Sequence, residues 1–434
     1  MHRVLLLAYW YPPKQAIGSL RLAKWAKYLP DFDWEPVIVT VQAQSELYTR
    51  HGILKDEVKQ GRVYRTRDRS LNEMFYSLRS PKKTQKEDTS FSSSPSSKFI
   101  FKLGYSVYKH ILCFPDEVWP WLFDYSEIAA IAKKENIDII LSSSLPNTAH
   151  IIASRLARDM HLPWVADFRD LWTQNHVFRR IKPLYTLEQC LERRVLREAS
   201  ALITVSEPLR DNLIRLHNKP GYVIMNGFDP SDFDSISSFG DDRSAPLRIL
   251  YTGRIYPKKQ DPTPLFKALE SLLKQGSLHA KDVKVVFYGP MVQIAKELVS
   301  SFPEVAPLIE IHNPVPYQES LRLQKEADVL LLLEWKDPSV KGVYTGKVFE
   351  YLGARRPILS IGYKKGILGD LLGKTQAGFH VENSKEIESL ILRWLKEKRK
   401  YARPLWTGEE KELQQYTRRE QTRQLANILN KVVV

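Results

Sequence analysis

Short apolar runs alternating with helical faces constrain this chain more than any other feature. Val4 to Ala8 (VLLLA) is bounded by turn residues and reads as a strand buried on both faces. A loop with Pro12, Pro13 and Gly18 follows, then RLAKWAKYL, where Leu22, Trp25, Ala26 and Leu29 fall at i, i+3, i+4 and i+7 on one helical face. Pro36 to Val41 is the next strand. Strand, helix, strand is the unit of a parallel sheet, because parallel neighbours need a crossover. Further strands are expected at Ile137–Leu141, Trp164–Ala166, Ala201–Val205 and Tyr222–Met225, with a helix over 187–199 and Ser206 as a helix N-cap.

The polar stretch DPSDFDSISSFGDDRSAP at 229–246 breaks this rhythm and is the best domain boundary. Beyond it the alternation restarts, with strand candidates at Leu247–Tyr251, Val283–Tyr288, Ile309–His312, Val329–Leu333 and Ile358–Ile361. Lys411 to Val432 reads as a last helix, free to pack on either domain. The expected fold class is therefore α/β: two consecutive Rossmann-like, doubly wound domains with a cleft between them. The boundaries are 1–228, a linker at 229–246, 247–408, and a C-terminal helix at 409–434.

One insertion stands out. Residues 68–98 are Ser-rich, charged and Pro-punctuated and read as a mobile surface insertion. The next segment, 98–114 (KFIFKLGYSVYKHILCF), interleaves aromatic and aliphatic residues with Lys98, Lys102 and Lys109. It suits either an interfacial helix on an anionic membrane or an ordinary amphipathic helix packed on its domain. The formal net charge of +15 points to an anionic partner, whether nucleotide phosphates, lipid head groups or nucleic acid, or simply to a basic solvated surface. No nucleic-acid recognition motif accompanies it. Two widely spaced cysteines, Cys113 and Cys190, fit a reducing compartment. No apolar stretch approaches a membrane span, so the expectation is a cytoplasmic protein, soluble or peripheral on the inner face of the membrane.

In open α/β sheets ligands bind outside the carboxyl ends of the strands, so the segments just after strands carry the chemistry. In YTGRIYPKK, Gly253 lets the backbone turn, and Arg254 and Lys259 can neutralise a diphosphate or can be surface cations. In KGVYTGKVFEYL, Gly342 and Gly346 flank a turn that opens a helix, whose amides and dipole favour a phosphate. Thr345 can cap that helix. Glu350, one turn in, can accept from both ribose hydroxyls or merely favour the helix terminus. In WVADFRDLW, Asp167, Arg169 and Asp170 can bind a sugar, work as acid and base, or form a structural ion-pair network. Gly18 permits close approach of the backbone to a ligand. No metal-ligand spacing, CxxC, HExxH or GxSxG motif occurs.

Together these segments resemble the retaining family 4 glycosyltransferases of GT-B fold, of the bacterial polysaccharide and lipid-linked glycan type. The likeness runs through AYWYPP with Gly18, LPWVADFRDLW, ALITVSEPLRDNL, VIMNGFDPSDF, YTGRIYPKK and TGKVFEYLGARRPIL. It implies that Arg254 and Lys259 hold the donor diphosphate, that Tyr344, Thr345 and Gly346 form the loop whose amides approach the phosphates, and that Glu350 anchors the ribose. It further implies that Gly18 lies near the transferred sugar and donor phosphates, that Asn226-Gly227 is the inter-domain turn, and that Asp167, Arg169 and Asp170 occupy the catalytic position. The sequence departs from the family pattern twice: Gly342 stands where many members carry a first acidic residue, and Arg169 where many carry a histidine.

The resemblance implies metal-independent transfer, with retention, from a nucleotide-sugar, UDP- or GDP-linked, to a saccharide or lipid-linked saccharide; no other cofactor and no nucleic acid is expected. Two alternatives stand beside it: a nucleotide-sugar epimerase, and a non-catalytic scaffold that binds a membrane or a partner.

Overall fold

The computed structural model describes residues 1–14, 17–42, 62–71, 111–175, 180–234, 236, 242–257, 259–290, 297–335, 342, 344–363 and 366–433. Most of the expected insertion at 68–98, and residues 98–110 of the basic aromatic segment, lie outside them. The chain forms two compact units. One comprises Met1–Ile224 with Thr422–Val434, the other Met225–Gln421.

The first unit holds a seven-stranded sheet. Its strands are β1 (His2–Leu7), β2 (Trp34–Val41), β3 (Arg62–Thr66), β4 (Ile139–Ser144), β5 (Trp164–Phe168), β6 (Ala201–Thr204) and β7 (Gly221–Val223). Their order is β3-β2-β1-β4-β5-β6-β7, with every pair parallel. Helices on both faces bury the apolar runs, and Val4 to Leu7 are fully buried. This is what a continuous apolar strand needs, since both faces leave water. The order reverses between β1 and β4, and that switch point opens a crevice at the strands' carboxyl ends.

The second unit repeats the plan with six strands: β8 (Leu247–Thr252), β9 (Val283–Tyr288), β10 (Ile309–His312), β11 (Val329–Leu333), β12 (Ile358–Ile361) and β13 (Gly378–Val381). The order is β10-β9-β8-β11-β12-β13, again all parallel, with the switch point between β8 and β11.

Several sequence expectations shift in detail. β4 runs to Ser144, past the expected end at Leu141, so Ser142, Ser143 and Ser144 lie within the strand. They are tolerated because they find buried partners: Ser142 bonds His150 and Trp164, and Ser143 bonds Asp167. β5 likewise extends through Asp167 and Phe168. Strands β3 and β13 carry no clear apolar run and were not expected. The tail forms two helices, Glu410–Gln414 and Arg418–Val433. The second returns to the first unit, where Leu425, Ala426, Ile428 and Leu429 form a buried stripe beside Trp25 and Trp34. Ser206 sits at the N-cap of Glu207–His217, but its side chain makes no capping bond.

Candidate functional site

The first unit's switch point is organised by two arginines. Arg21, on the helix Ile17–Tyr28, pairs with Asp167 through Nη2–Oδ1 at 2.9 Å and Nε–Oδ2 at 3.3 Å. Ser143 Oγ donates to the same Oδ2 at 2.7 Å, and Arg21 also donates to the Ile224 carbonyl. Both side chains are sealed from solvent, at 1% and 0% exposure. Asp167 is thus held inside β5, with both carboxylate oxygens engaged and no surface to offer a substrate.

Arg169 lies at the mouth. Its Nε donates to the Ser144 carbonyl at 2.8 Å and its Nη2 to the Leu145 carbonyl at 2.9 Å. Burial lowers the guanidinium's pKa, while Asp170 and Asp167 oppose the shift and Arg21 adds to it. A Cβ on Gly18 would sit 1.7 Å from Arg169 Nη1. Gly18 and Arg169 are therefore brought together, with half-buried Asp170 next along the chain. The same unit holds another buried ion pair, Lys14–Asp68. Burial alone would raise Asp68, but the Lys14 ammonium and the Tyr9 and Ser70 donors hold it below the usual carboxylate range.

Asn226 and Gly227 fall just past the unit boundary, at the start of the second unit. Gly227 packs against the returning chain: a Cβ there would meet the Tyr416 carbonyl at 2.3 Å. The Phe228 amide donates to that carbonyl at 3.0 Å, and the Arg418 amide donates to the Phe228 carbonyl at 2.7 Å.

The second unit's switch point gathers the other expected residues. The helix Gly346–Ala354 follows β11, with Thr345 in extended conformation at its N-cap position. Thr345 makes no side-chain capping bond, contrary to expectation. Tyr344 packs edge-on against Phe349. Lys341 and Val343 of the same segment lie outside the described residues. Gly342 has φ +84°, a conformation that side chains rarely adopt, so an acidic residue at this position would be strained.

Glu350 lies beyond the helix's first turn. Burial raises its pKa, against the lowering influence of the Gln324 hydrogen bond, Lys347 and Arg418. Gln324 Nε2 donates to Glu350 Oε2 at 3.2 Å and also reaches Thr252 Oγ1 and Ser320 Oγ. Glu350 is half-buried, and Gln324 is the amide donor on its Oε2.

Arg254 and Lys259 share the loop after β8 but differ in setting. Lys259 Nζ lies 4.3 Å over the Trp335 ring. Arg254 is exposed, and its side chain has no partner among the described residues. Its backbone carbonyl accepts from Tyr251 Oη at 2.8 Å. The same hydroxyl accepts from Lys347 Nζ at 2.8 Å. Burial drives the Lys347 ammonium down to about 8, opposed by Glu350, and drives the Tyr251 phenol well above its ordinary range. Sequence reasoning missed Lys347 and Gln324. Lys347 had a signal, its place directly after Gly346, whereas Gln324 had none. Among the described residues, no group of three or more His, Cys, Asp or Glu side chains lies together as a metal site would require.

The two doubly wound units are the Rossmann-like domains of the GT-B fold. HepE from Anabaena, solved in complex with UDP, superposes with a TM-score of 0.61 at 14% identity, over 99% of this chain and 100% of that one. Sucrose-phosphate synthase from Thermosynechococcus elongatus gives a TM-score of 0.62 at 12% identity, over 99% of each chain. The UDP-GlcNAc 2-epimerase from Methanocaldococcus jannaschii gives 0.50 at 13% identity, over 99% of this chain and 100% of that one. A synthase and an epimerase share this architecture, so these likenesses define the fold alone. Residues 74–232 match the profile of Glycosyltransferase Family 4. No curated protein sequence matches the chain.

Proposed function

We propose that the protein transfers a sugar from a nucleotide-diphosphate donor to an acceptor hydroxyl. The observation that carries this reading is the constellation at the β8/β11 switch point: a half-buried Glu350, a helix N-terminus at Gly346, Lys347 against Gly253, and the cations Arg254 and Lys259 on the loop after β8. Glu350 would take the two ribose hydroxyls, and the cations and amides the diphosphate. The match of residues 74–232 to a glycosyltransferase family supports the reading from the other unit.

The reaction envisaged retains configuration. The bond from the anomeric carbon to the phosphate oxygen breaks, the acceptor oxygen bonds the same face, and its proton passes to the departing phosphate. Cationic and amide donors would stabilise the charge that develops on the leaving group. No cofactor beyond the UDP- or GDP-linked substrate belongs to this proposal, and the cations would stand in for a metal. Arg169 and Asp170, beside Gly18, would face the reacting sugar; Asp167 would position them from behind.

The proposed acceptor is a saccharide or lipid-linked saccharide of cell-surface glycan synthesis, met at the inner face of the membrane. Supporting this, Ile111, Leu112, Phe123 and Ile181 are all exposed on the first unit. Trp119, whose indole donates to the Leu112 carbonyl, and Arg180, which donates to the Cys113 and Pro115 carbonyls, tie these residues to one patch. Among the described residues no helix is long and apolar enough to cross a membrane. Flotation with anionic vesicles tests this part, and failure to float would remove the membrane from the proposal.

Calorimetric titration with UDP, GDP and their sugar conjugates, with and without chelator, tests the donor site. Selective binding of one diphosphate, lost in Glu350→Ala, is expected. Release of an epimer or free sugar without an acceptor would favour the epimerase reading, which the shared architecture keeps in view. Absence of nucleotide binding would leave a scaffold.

A further inference from the structure

Two buried lysines of this protein are matched to carboxylates, and half-buried Lys347 differs from them. Lys14 pairs with Asp68, and Lys398 pairs with Asp328 at 2.6 Å. Lys347 has no carboxylate at ion-pair distance among the described residues. Its direct partners are the hydroxyl of Tyr251 at 2.8 Å and the face of the same ring at 4.4 Å. A half-buried ammonium without a counter-ion is unfavourable unless something else completes its surroundings. One of its three N–H groups serves Tyr251, which leaves two unspent.

The backbone has been shaped to admit this side chain. Gly253 directly follows β8 with φ +116°, and a Cβ there would lie 2.3 Å from Lys347 Cε and 3.0 Å from Nζ. Lys347 is also the second residue of the helix Gly346–Ala354, where unpaired amides point outward. The chain Lys347 Nζ, Tyr251 Oη, Arg254 carbonyl then fixes the loop that carries the exposed Arg254 guanidinium.

We propose that Lys347 is the inner cation of the diphosphate site, its two unspent N–H groups bonding phosphate oxygens of the donor and of the departing nucleoside diphosphate. The proposal rests on the glycosyl-donor reading above. Arg254 and Lys259 are the outer cations, recruited from the solvent-facing loop. Lys347 is already in place before the ligand arrives, so no side-chain ordering opposes its contribution.

A proton provides a readout that a purely structural lysine lacks. Lys347 meets the Tyr251 phenol from β8 and the charge of Glu350 from its own helix; Gln324, on the helix Tyr317–Glu326, donates to Glu350, the Tyr351 hydroxyl accepts from the Thr252 amide at the end of β8, and Tyr251 donates to the Arg254 carbonyl. In the free protein the ammonium titrates near 8, so at pH 9 it is mostly neutral. An anion bound against it restores the charge, so binding at pH 9 takes up about one proton.

The experiment is titration of the full chain with UDP and GDP at pH 7 and pH 9, in buffers of different ionisation enthalpy, with uridine and guanosine as controls. The wild type is expected to take up a proton at pH 9. K347M is expected to lose about tenfold to a hundredfold in diphosphate affinity, with nucleoside affinity unchanged and no proton uptake. K347R supplies the same test if K347M fails to fold, because arginine does not titrate: it binds the diphosphate without proton uptake. Diphosphate binding of K347M equal to wild type, or unchanged proton uptake in either variant, overturns the role of Lys347 while leaving the donor site standing. A wild type that binds neither UDP nor GDP overturns both.

Discussion

Gly18 makes the room that Arg169 occupies: a single added methyl at residue 18 would fall 1.7 Å from the guanidinium Nη1. Gly18 lies in the first turn of the helix Ile17–Tyr28, where its φ needs no glycine. The glycine is there for space, not for backbone freedom.

Gly18→Ala therefore separates stability from activity. Alanine favours a helix by about 0.5–1 kcal/mol over glycine, so the melting temperature should hold or rise. The displaced Arg169 should lower kcat/KM by about 100-fold, as expected for angstrom-scale misplacement. Thermal melts and transfer assays on one preparation check both. Unchanged kinetics would detach Arg169 from the reaction.

Asp167 is expected to behave as a frame residue. Asp167→Ala leaves the Arg21 guanidinium buried without its carboxylate, at a cost of about 3–5 kcal/mol. Denaturant unfolding measures this directly. A variant as stable as wild type yet inactive would return Asp167 to the chemistry.

Glu350 trades stability for recognition. Its folded pKa is raised, so its contribution to stability is greatest below the unfolded pKa, about 4.3, and is lost as pH rises through the folded value. Glu350→Gln should consequently be more stable than wild type at neutral pH, with the difference vanishing in acid. The same variant should bind nucleoside diphosphate more weakly. Melting curves across pH, paired with calorimetry, show whether both effects occur together.

His150 is sealed in the first unit's core, between Phe168 and Trp164, with Nδ1 on Ser142 Oγ. Burial lowers its pKa to about 3. It stays neutral in the fold while the unfolded chain protonates below about 6.5, so its contribution to stability is lost as pH falls from there toward the folded value. The slope from this residue approaches about 1.4 kcal/mol per pH unit. His150→Phe should flatten the acid side of the stability profile. An identical slope in the variant would mean that other groups set it.

The alternation of apolar runs and helical faces determined the architecture without help from tertiary structure. Burial on both faces leaves a mark on each central strand, so Val4–Leu7 and Val329–Leu333 were legible as they stand. The edge strands Arg62–Thr66 and Gly378–Val381 bury less and left no such mark, although the edge strands Gly221–Val223 and Ile309–His312 were anticipated from short apolar runs. The residues of the candidate site were legible where a glycine and a cation followed a strand, as at Gly253-Arg254, or where a glycine opened a helix, as at Gly346.

What only the fold decided was which neighbours each polar group meets. Asp167, Arg169 and Asp170 are nearly adjacent in sequence, yet Asp167 is locked in β5 by Arg21 from another helix while Arg169 reaches the mouth. Lys347 looked like one more helix lysine until β8 brought Tyr251 and Gly253 against it, 96 residues away along the chain in the case of the hydroxyl. Periodicity reports how much of a residue is buried. Partners that are distant in sequence set its charge state and its availability, and only the folded chain brings them together.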